Sequence, residues 1–162
     1  MKKFSIEFKW AAIYMVISLL WTFLERTAGL HHENIANYAF VSLLFGVFGF
    51  ALYWMCIFDK KANYYKGMMD WTRGFLSGLT LTVIIAVLSP LTTFVALEYV
   101  SPDFLDNMRR HYSAANSISA SASQSMFTLQ GQIMQSIFTV MSMGVVASAI
   151  IAWFARSKEK SS

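Results

Sequence analysis

The side chains with types and spacing suited to chemistry fall into a few groups. Glu25 and Arg26 stand together after an apolar stretch, and His31, His32 and Glu33 follow closely. Carboxylate and imidazole side by side are the ligand set of many divalent-metal sites. The spacing argues against one here. Neighbouring residues on a helix do not face the same way, and no His-x-x-x-His pair exists. The histidines therefore read as part of a polar turn, with no metal expected. Cys56 is the single cysteine, no His or Asp is placed to activate it, and none of the eight glycines belongs to a phosphate-binding loop. No catalytic residues and no cofactor are expected. An enzyme built on Glu25, His31 and His32 is the least favoured functional class.

The placement of Glu25 and Arg26 has two readings. In a helix spanning residues 10–30, Glu25 lies roughly 7–8 Å past the midpoint, deep enough in a bilayer to mark function. In a helix that starts near Ile6, both residues reach the headgroups and snorkel there, which is the usual fate of a charge near a span end.

Two further groups lie in apolar surroundings. Pro90, flanked by Ser89, Thr92 and Thr93, interrupts a long apolar run and should kink its helix, with the hydroxyls taking up the freed backbone groups. Gln132, Gln135, Thr139 and Ser142 recur at helical spacing and form one polar stripe. Polar groups turned to lipid without partners cost free energy, so this stripe must face other helices or a wet cavity. Gly74 with Gly78, and Gly144 with Ser148, are small-xxx-small pairs of the kind that let helices approach closely in lipid, here expected within one bundle.

The elements that carry these groups are set by composition. Of 162 residues, 56% are hydrophobic and only 14% charged, with a mean hydropathy of +0.48. An average soluble domain is about a quarter charged, and a chain this small cannot clothe its surface with so few charges. A water-soluble globule and a disordered chain are both excluded. The expected fold is all-α, a four-helix transmembrane bundle forming one membrane domain over 1–162. The uncharged runs Ala36–Phe58 and Gly74–Leu97 are each long enough to cross a hydrocarbon core. The run Met126–Ala155 is longer than needed, which places its span at about 133–155. The first span, about 10–30, contains the short run Trp10–Leu24, read as an uncleaved helix because no small-residue cleavage site follows.

The cations Lys2, Lys3 and Lys9, then Lys60, Lys61, Lys66 and Arg73, then Arg156, Lys158 and Lys160 mark three segments on one side of four spans. By the positive-inside rule that side is cytoplasmic, with both termini in the cytosol. The net charge of +4 is thus a topology signal; no nucleic-acid partner is expected. Tyr53, Trp54, Tyr64, Tyr65 and Trp71, with Trp10 and Trp153, fit an interfacial belt, whereas Phe45, Phe48 and Phe50 fit the core. On the opposite side, Ser101-Pro102-Asp103 reads as a helix start with a hydroxyl cap. Phe104, Leu105, Met108 and Tyr112 then form an apolar stripe, giving a short amphipathic helix over about 102–112 that lies on the membrane surface. Ser113–Ser125, mostly serine and alanine, has little to bury.

The stretches Tyr65-Lys66-Gly67 and Arg73-Gly74-Phe75 with Gly78, and Ser101-Pro102-Asp103-Phe104-Leu105, resemble a bacterial membrane family catalogued as domain of unknown function 4199. The resemblance spans about Lys9 to Lys158. It implies a four-helix protein of the bacterial inner (cytoplasmic) membrane and supplies no activity, cofactor or catalytic residue. The expected partner is the lipid bilayer, with a homo-oligomer or another membrane protein left open. The function class favoured by the residues is an interaction, assembly or supporting role in a membrane complex. The alternative is a small oligomeric transporter or channel that uses the Pro90 kink and the Gln132–Ser142 stripe.

Overall fold

In a computed structural model that describes residues 3–115 and 119–157, every regular element is helical. Lys2, Lys158 and Lys160, and residues 116–118 of the serine-alanine segment, lie outside the described residues. Four helices are long and apolar enough to cross a membrane. They are α1 (Ser5–Thr27), α2 (Tyr38–Asn63), α3 (Trp71–Val95) and, last in the chain, α6 (Leu129–Ala155). Two shorter helices, α4 (Phe104–Ala114) and α5 (Ala120–Met126), lie between α3 and α6. A 3-10 turn, Ile35–Asn37, leads into α2, and a π-helical turn, Ala96–Val100, prolongs α3. The flanks of the long helices are apolar and exposed, with Leu43, Val87 and Phe138 each more than 70% accessible, as befits helices solvated by acyl chains.

The boundaries differ from expectation at each span. α1 starts at Ser5 and stops at Thr27, earlier than 10–30. α2 runs on to Asn63, beyond 58, α3 starts at Trp71 rather than 74, and α6 begins at Leu129 rather than 133. Each extension adds polar or aromatic residues that find partners within the protein, which an apolar-run count does not register. Asp70 caps α3 by accepting from the Arg73 N–H at 2.7 Å, and Thr128 caps α6 by accepting from the Gly131 N–H at 3.0 Å.

α3 and α6 form the closest pair, packed antiparallel on a ladder of small residues. A Cβ added at Gly74 would lie 3.1 Å from the Ala152 Cβ, one at Gly78 would lie 2.6 Å from the Ser148 Cβ, and one at Gly144 would meet Thr82 and the Tyr53 hydroxyl at 2.6 Å. Without a hydrophobic force between helices in lipid, such backbone approach supplies dispersion contact that larger residues would prevent. Gly74, Gly78 and Gly144 thus pack inside one bundle.

The two ends of the bundle are chemically distinct. At the end where α1 begins and α6 finishes, Glu7 of α1 and Lys60 of α2 are 1% and 3% exposed. The Lys60 ammonium lies 2.9 Å from both carboxylate oxygens, and the Ser77 hydroxyl donates to Glu7 at 2.9 Å. Lys9 and the Trp10 indole both donate to Asp59. By charge alone Glu7 and Lys60 belong with the solvated groups of this end; in the fold they are a buried pair that pins α1 to α2 and α3. Tyr53, expected in the interfacial belt, is 4% exposed and donates to Thr82 at 2.9 Å. Conversely Phe48 and Phe50, expected in the core, are 50% and 38% exposed. Burial in lipid and burial in protein make the same demand on a phenylalanine, so its type does not separate them. Cys56 is fully buried, as a small apolar residue would be.

At the other end, the apolar stripe of α4 packs on the protein. Phe104 and Met108 are buried with Phe127, against Ile35, Tyr38 and Leu97. The predicted stripe is present, but it is satisfied by the bundle rather than by lipid. The Asn107 amide donates to the His31 carbonyl at 2.8 Å and Arg109 to the Phe127 carbonyl at 2.9 Å. α4 is therefore strapped across this end as a cap.

Candidate functional site

Directly beneath that cap lies a cavity of about 330 Å³ walled by α1, α3 and α6, with Tyr38 and Phe45 of α2 closing one side and Phe104 of α4 above. One ordered water needs about 10–15 Å³ on the same measure. Its wall is rich in polar groups: Ser18, Thr22, Glu25 and His31; Ser89, Thr92, Thr93 and Ser101; Gln132, Gln135, Ser136 and Thr139.

On the α3 side of the cavity the helix runs unbroken through Pro90 to Val95. Pro90 has no N–H, so the Ala86 carbonyl lacks its helical donor. The Ser89 hydroxyl donates to it instead, at 3.0 Å. The chain continues into the π-helical turn, where the Ser101 N–H donates to the Ala96 carbonyl at 2.8 Å. Inserted residues of this kind widen a helix and re-aim its side chains. The small-residue ladder meanwhile gives way to Ile85 and Val140, and the last polar link between α3 and α6 here is a loose one, Ser136 to Ser89 at 3.5 Å.

His31 reaches the cavity through the way α1 ends. The Gly29 N–H donates to the Arg26 carbonyl and the Leu30 N–H to the Glu25 carbonyl, with Gly29 at φ 75°. This is a Schellman ending, which needs a residue in the left-handed region and so favours glycine. It folds the chain back over the helix terminus. His31 is 2% exposed and Glu25 5%, and His31 Nε2 lies 3.6 Å from Glu25 Oε2. Glu25 Oε1 accepts from the Trp21 indole at 2.7 Å and from the Ser42 hydroxyl. His31 Nδ1 is bonded to Ser101 Oγ at 2.8 Å. The ring is held between Tyr38 and Phe104, at centroid distances of 5.6 and 4.6 Å.

One atom in this network lacks a partner. Among the described residues, His31 Nε2 is a fully buried polar side-chain atom with no hydrogen bond. A buried donor or acceptor left unmade costs about 1–3 kcal/mol. Native interiors hold few such atoms, and each calls for an explanation.

The residues singled out from sequence are distributed as follows. Glu25, His31, Gln132, Gln135 and Thr139 all line the cavity. Glu25 neither snorkels nor sits in lipid, although α1 starts early; it is enclosed by protein, because Trp21, Ser42 and His31 surround it. Arg26 faces away and donates to the Val100 carbonyl at 2.5 Å, closing the π-helical turn. His31 and His32 do not form one solvated polar turn: His31 is interior, while His32 is exposed and contacts the Asn107 amide at 2.9 Å. Pro90 is not part of the wall. Ser142 is exposed and is not part of the wall, since the stripe turns off the cavity there. Ser101 is no helix cap. Its hydroxyl serves His31, and α4 starts behind Asp103 without a side-chain cap. Sequence reasoning missed Trp21, Ser42, Tyr38 and Phe104 as site residues. Only Trp21 carries a usable signal, one helical turn before Glu25. Among the described residues no group of three or more His, Cys, Asp and Glu could hold a metal ion.

The fold and site together define a multi-helix membrane protein whose polar cavity sits at one end, under a helical cap. The chain belongs to the family described as a protein of unknown function, DUF4199, whose model matches residues 9–157. No curated protein matches the chain, and no solved structure does.

Proposed function

We propose that this is a small-molecule-binding protein of a cytoplasmic membrane, with both termini in the cytosol and the Glu25–His31 cavity in the opposite half of the bilayer. The observation that carries the binding role is the cavity itself, far larger than one water requires and lined by Glu25 and His31 together with the hydroxyl and amide side chains of α1, α3 and α6. A protein that only supports a membrane complex needs packing and lipid-facing surfaces, and gains nothing from a polar cavity among its helices. The polar stripe supports binding more than conduction. Three of its four residues face the cavity, but towards the basic end the Tyr53–Thr82 bond and the close approach of Gly144 to both fill the space between helices. The clustering of basic residues at the end where the chain begins and ends supports the orientation.

The test is thiol labelling of the reconstituted full chain carrying Cys56→Ala. Thr139→Cys should react with a membrane-impermeant methanethiosulfonate added on the α4 side, while Phe138→Cys, on the lipid face, should not. In native mass spectrometry the wild-type chain should carry a small-molecule adduct that His31→Phe loses. A thiol at position 139 that stays inert from both sides would overturn the cavity reading.

A further inference from the structure

The chemistry of the cavity wall is set by where its hydroxyl protons go. On α1, Ser18 and Thr22 donate to the carbonyls of Met15 and Ser18, at 2.8 and 3.0 Å. On α3, Ser89 and Thr92 donate to the carbonyls of Ala86 and Leu88, at 3.0 and 3.3 Å. On α6, Ser136 donates to the Ile133 carbonyl at 2.8 Å. A carbonyl has no proton to give, so in each contact the hydroxyl is the donor and its proton is spent on its own helix. Lone pairs are what these side chains have left for the cavity they line.

Glu25 stands one helical turn beyond Thr22, on the same face of α1. Its Oε1 accepts from Trp21 and Ser42, while Oε2 accepts no hydrogen bond among the described residues. Among those residues, His31 Nε2 is the buried side-chain polar atom that is both unbonded and closed off. Oε2 is unbonded but not closed off, so it is reached from the cavity that Glu25 lines, and His31 Nε2 is not. Among the described residues no lysine or arginine lines this space. Arg26 is committed to the Val100 carbonyl, and Arg109 to the Phe127 carbonyl and Asp106. The remaining protons of the wall sit on neutral groups, chiefly the amides of Gln132 and Gln135 and the hydroxyls of Thr93 and Thr139.

The wall is therefore rich in acceptors and carries one carboxylate oxygen with no partner. An anion would find no positive group and would meet Glu25. A polyol brings an acceptor with every donor and would turn oxygen lone pairs on oxygen lone pairs. An ammonium brings three N–H donors, a positive charge and no acceptor. A bare metal ion would occupy a small part of a space of about 330 Å³, whose wall also holds Phe45, Ile85 and Val140. Those apolar side chains suit an organic body.

We infer that the cavity takes a small organic molecule with a primary ammonium group, its N–H donors on Glu25 Oε2 and the wall hydroxyls and its apolar body against Phe45, Ile85 and Val140. The inference rests on the cavity reading above and names the class of molecule bound.

The test uses the full chain carrying Cys56→Ala and Thr139→Cys in phosphatidylcholine vesicles, and follows the rate at which the impermeant methanethiosulfonate labels the thiol. Phenylethylamine, an ammonium at pH 7 as lysine is, should slow labelling saturably. Phenylethanol and phenylacetate, of closely similar shape, should need at least about tenfold higher concentration, the effect of one lost hydrogen bond to a charged group. Phenylethyltrimethylammonium, cationic but without an N–H, should be weaker by a similar factor. Glu25→Gln keeps the shape of the side chain and an oxygen for Trp21 and Ser42. It should cut protection by the amine about tenfold while its thiol labels at the parental rate without amine. The comparison among ligands needs no change at Glu25 and decides the matter even where that variant fails to fold. Absence of saturable protection, any of the other three compounds protecting as well as the amine, or a folded Glu25→Gln without effect would each overturn the inference. If that occurs while the thiol at position 139 is reactive from the α4 side, the ammonium fails and the cavity stands. If that thiol is inert, both fall.

Discussion

Removing one half of the buried Glu7–Lys60 pair should be far more damaging than removing both. In Lys60→Met the Glu7 carboxylate, 1% exposed, keeps only the Ser77 hydroxyl as a partner among the described residues. An uncompensated buried charge costs about 3–5 kcal/mol. Glu7→Leu strands the Lys60 ammonium in the same way, with the Lys3 carbonyl, the Tyr64 ring, 4.2 Å from centroid to Nζ, and the Phe4 ring, at 6.0 Å, as its remaining contacts among the described residues. The double variant Glu7→Leu/Lys60→Met replaces the pair with apolar groups of similar volume, an exchange that is often neutral or stabilising by about 1–4 kcal/mol. It also loses the hydrogen bond from Ser77, worth about 1 kcal/mol. The double variant should therefore stay within about 2 kcal/mol of the parent, far short of the sum of the singles. Equilibrium unfolding in mixed micelles of rising dodecyl sulfate content measures all four proteins, with Trp10 beside Asp59 as a local fluorescent reporter. Singles that each lose less than about 1 kcal/mol, or a double variant that loses their sum, would refute the view that the pair acts as one desolvated unit.

Other predictions concern different links in the same chain of cause. Gly78→Leu should disrupt the α3–α6 ladder, since even a Cβ there overlaps Ser148, and should cost at least about 1–3 kcal/mol in the same micelle titration. Gly46→Ala, in open space, should instead leave stability unchanged or raise it by about 0.5–1 kcal/mol. Phe104→Ala should loosen the cap over His31, at about 3–5 kcal/mol if the gap does not collapse, and hydrogen exchange at α4 should rise while exchange in the α3–α6 ladder holds. Reporter fusions after Gly29 and after Ala155 should report opposite compartments, the latter cytosolic; identical compartments would sink the proposed orientation.

How much of this is legible in the sequence varies with the range of the interaction. The apolar stripe of α4 and the small-residue pairs are local patterns, and each appears as a real feature of the fold, whereas α3 runs unbroken through Pro90. What each does is less accessible. The α4 stripe fits a membrane surface and a protein surface equally well, and its packing on Ile35, Tyr38 and Leu97 depends on where α2 and α3 end. Ser101 has the form of a helix cap, but a histidine 70 positions away takes its hydroxyl. Glu25 is poised in sequence between lipid depth and headgroups, and both placements presuppose a lone helix facing lipid. Its surroundings come from Ser42 on the next helix and from a turn that folds back.

The number of membrane crossings follows from the residues alone, because length and apolarity are local sums and a backbone in hydrocarbon has little choice but to become helical. Which charges are buried was decided only by the tertiary structure. Glu7 finds Lys60 across 53 positions and Ser77 across 70, and His31 finds Ser101 directly after a π-helical turn that no periodicity announces. Burial of a charge is a property of its neighbours rather than of the residue, and those neighbours are chosen by how four apolar rods pack.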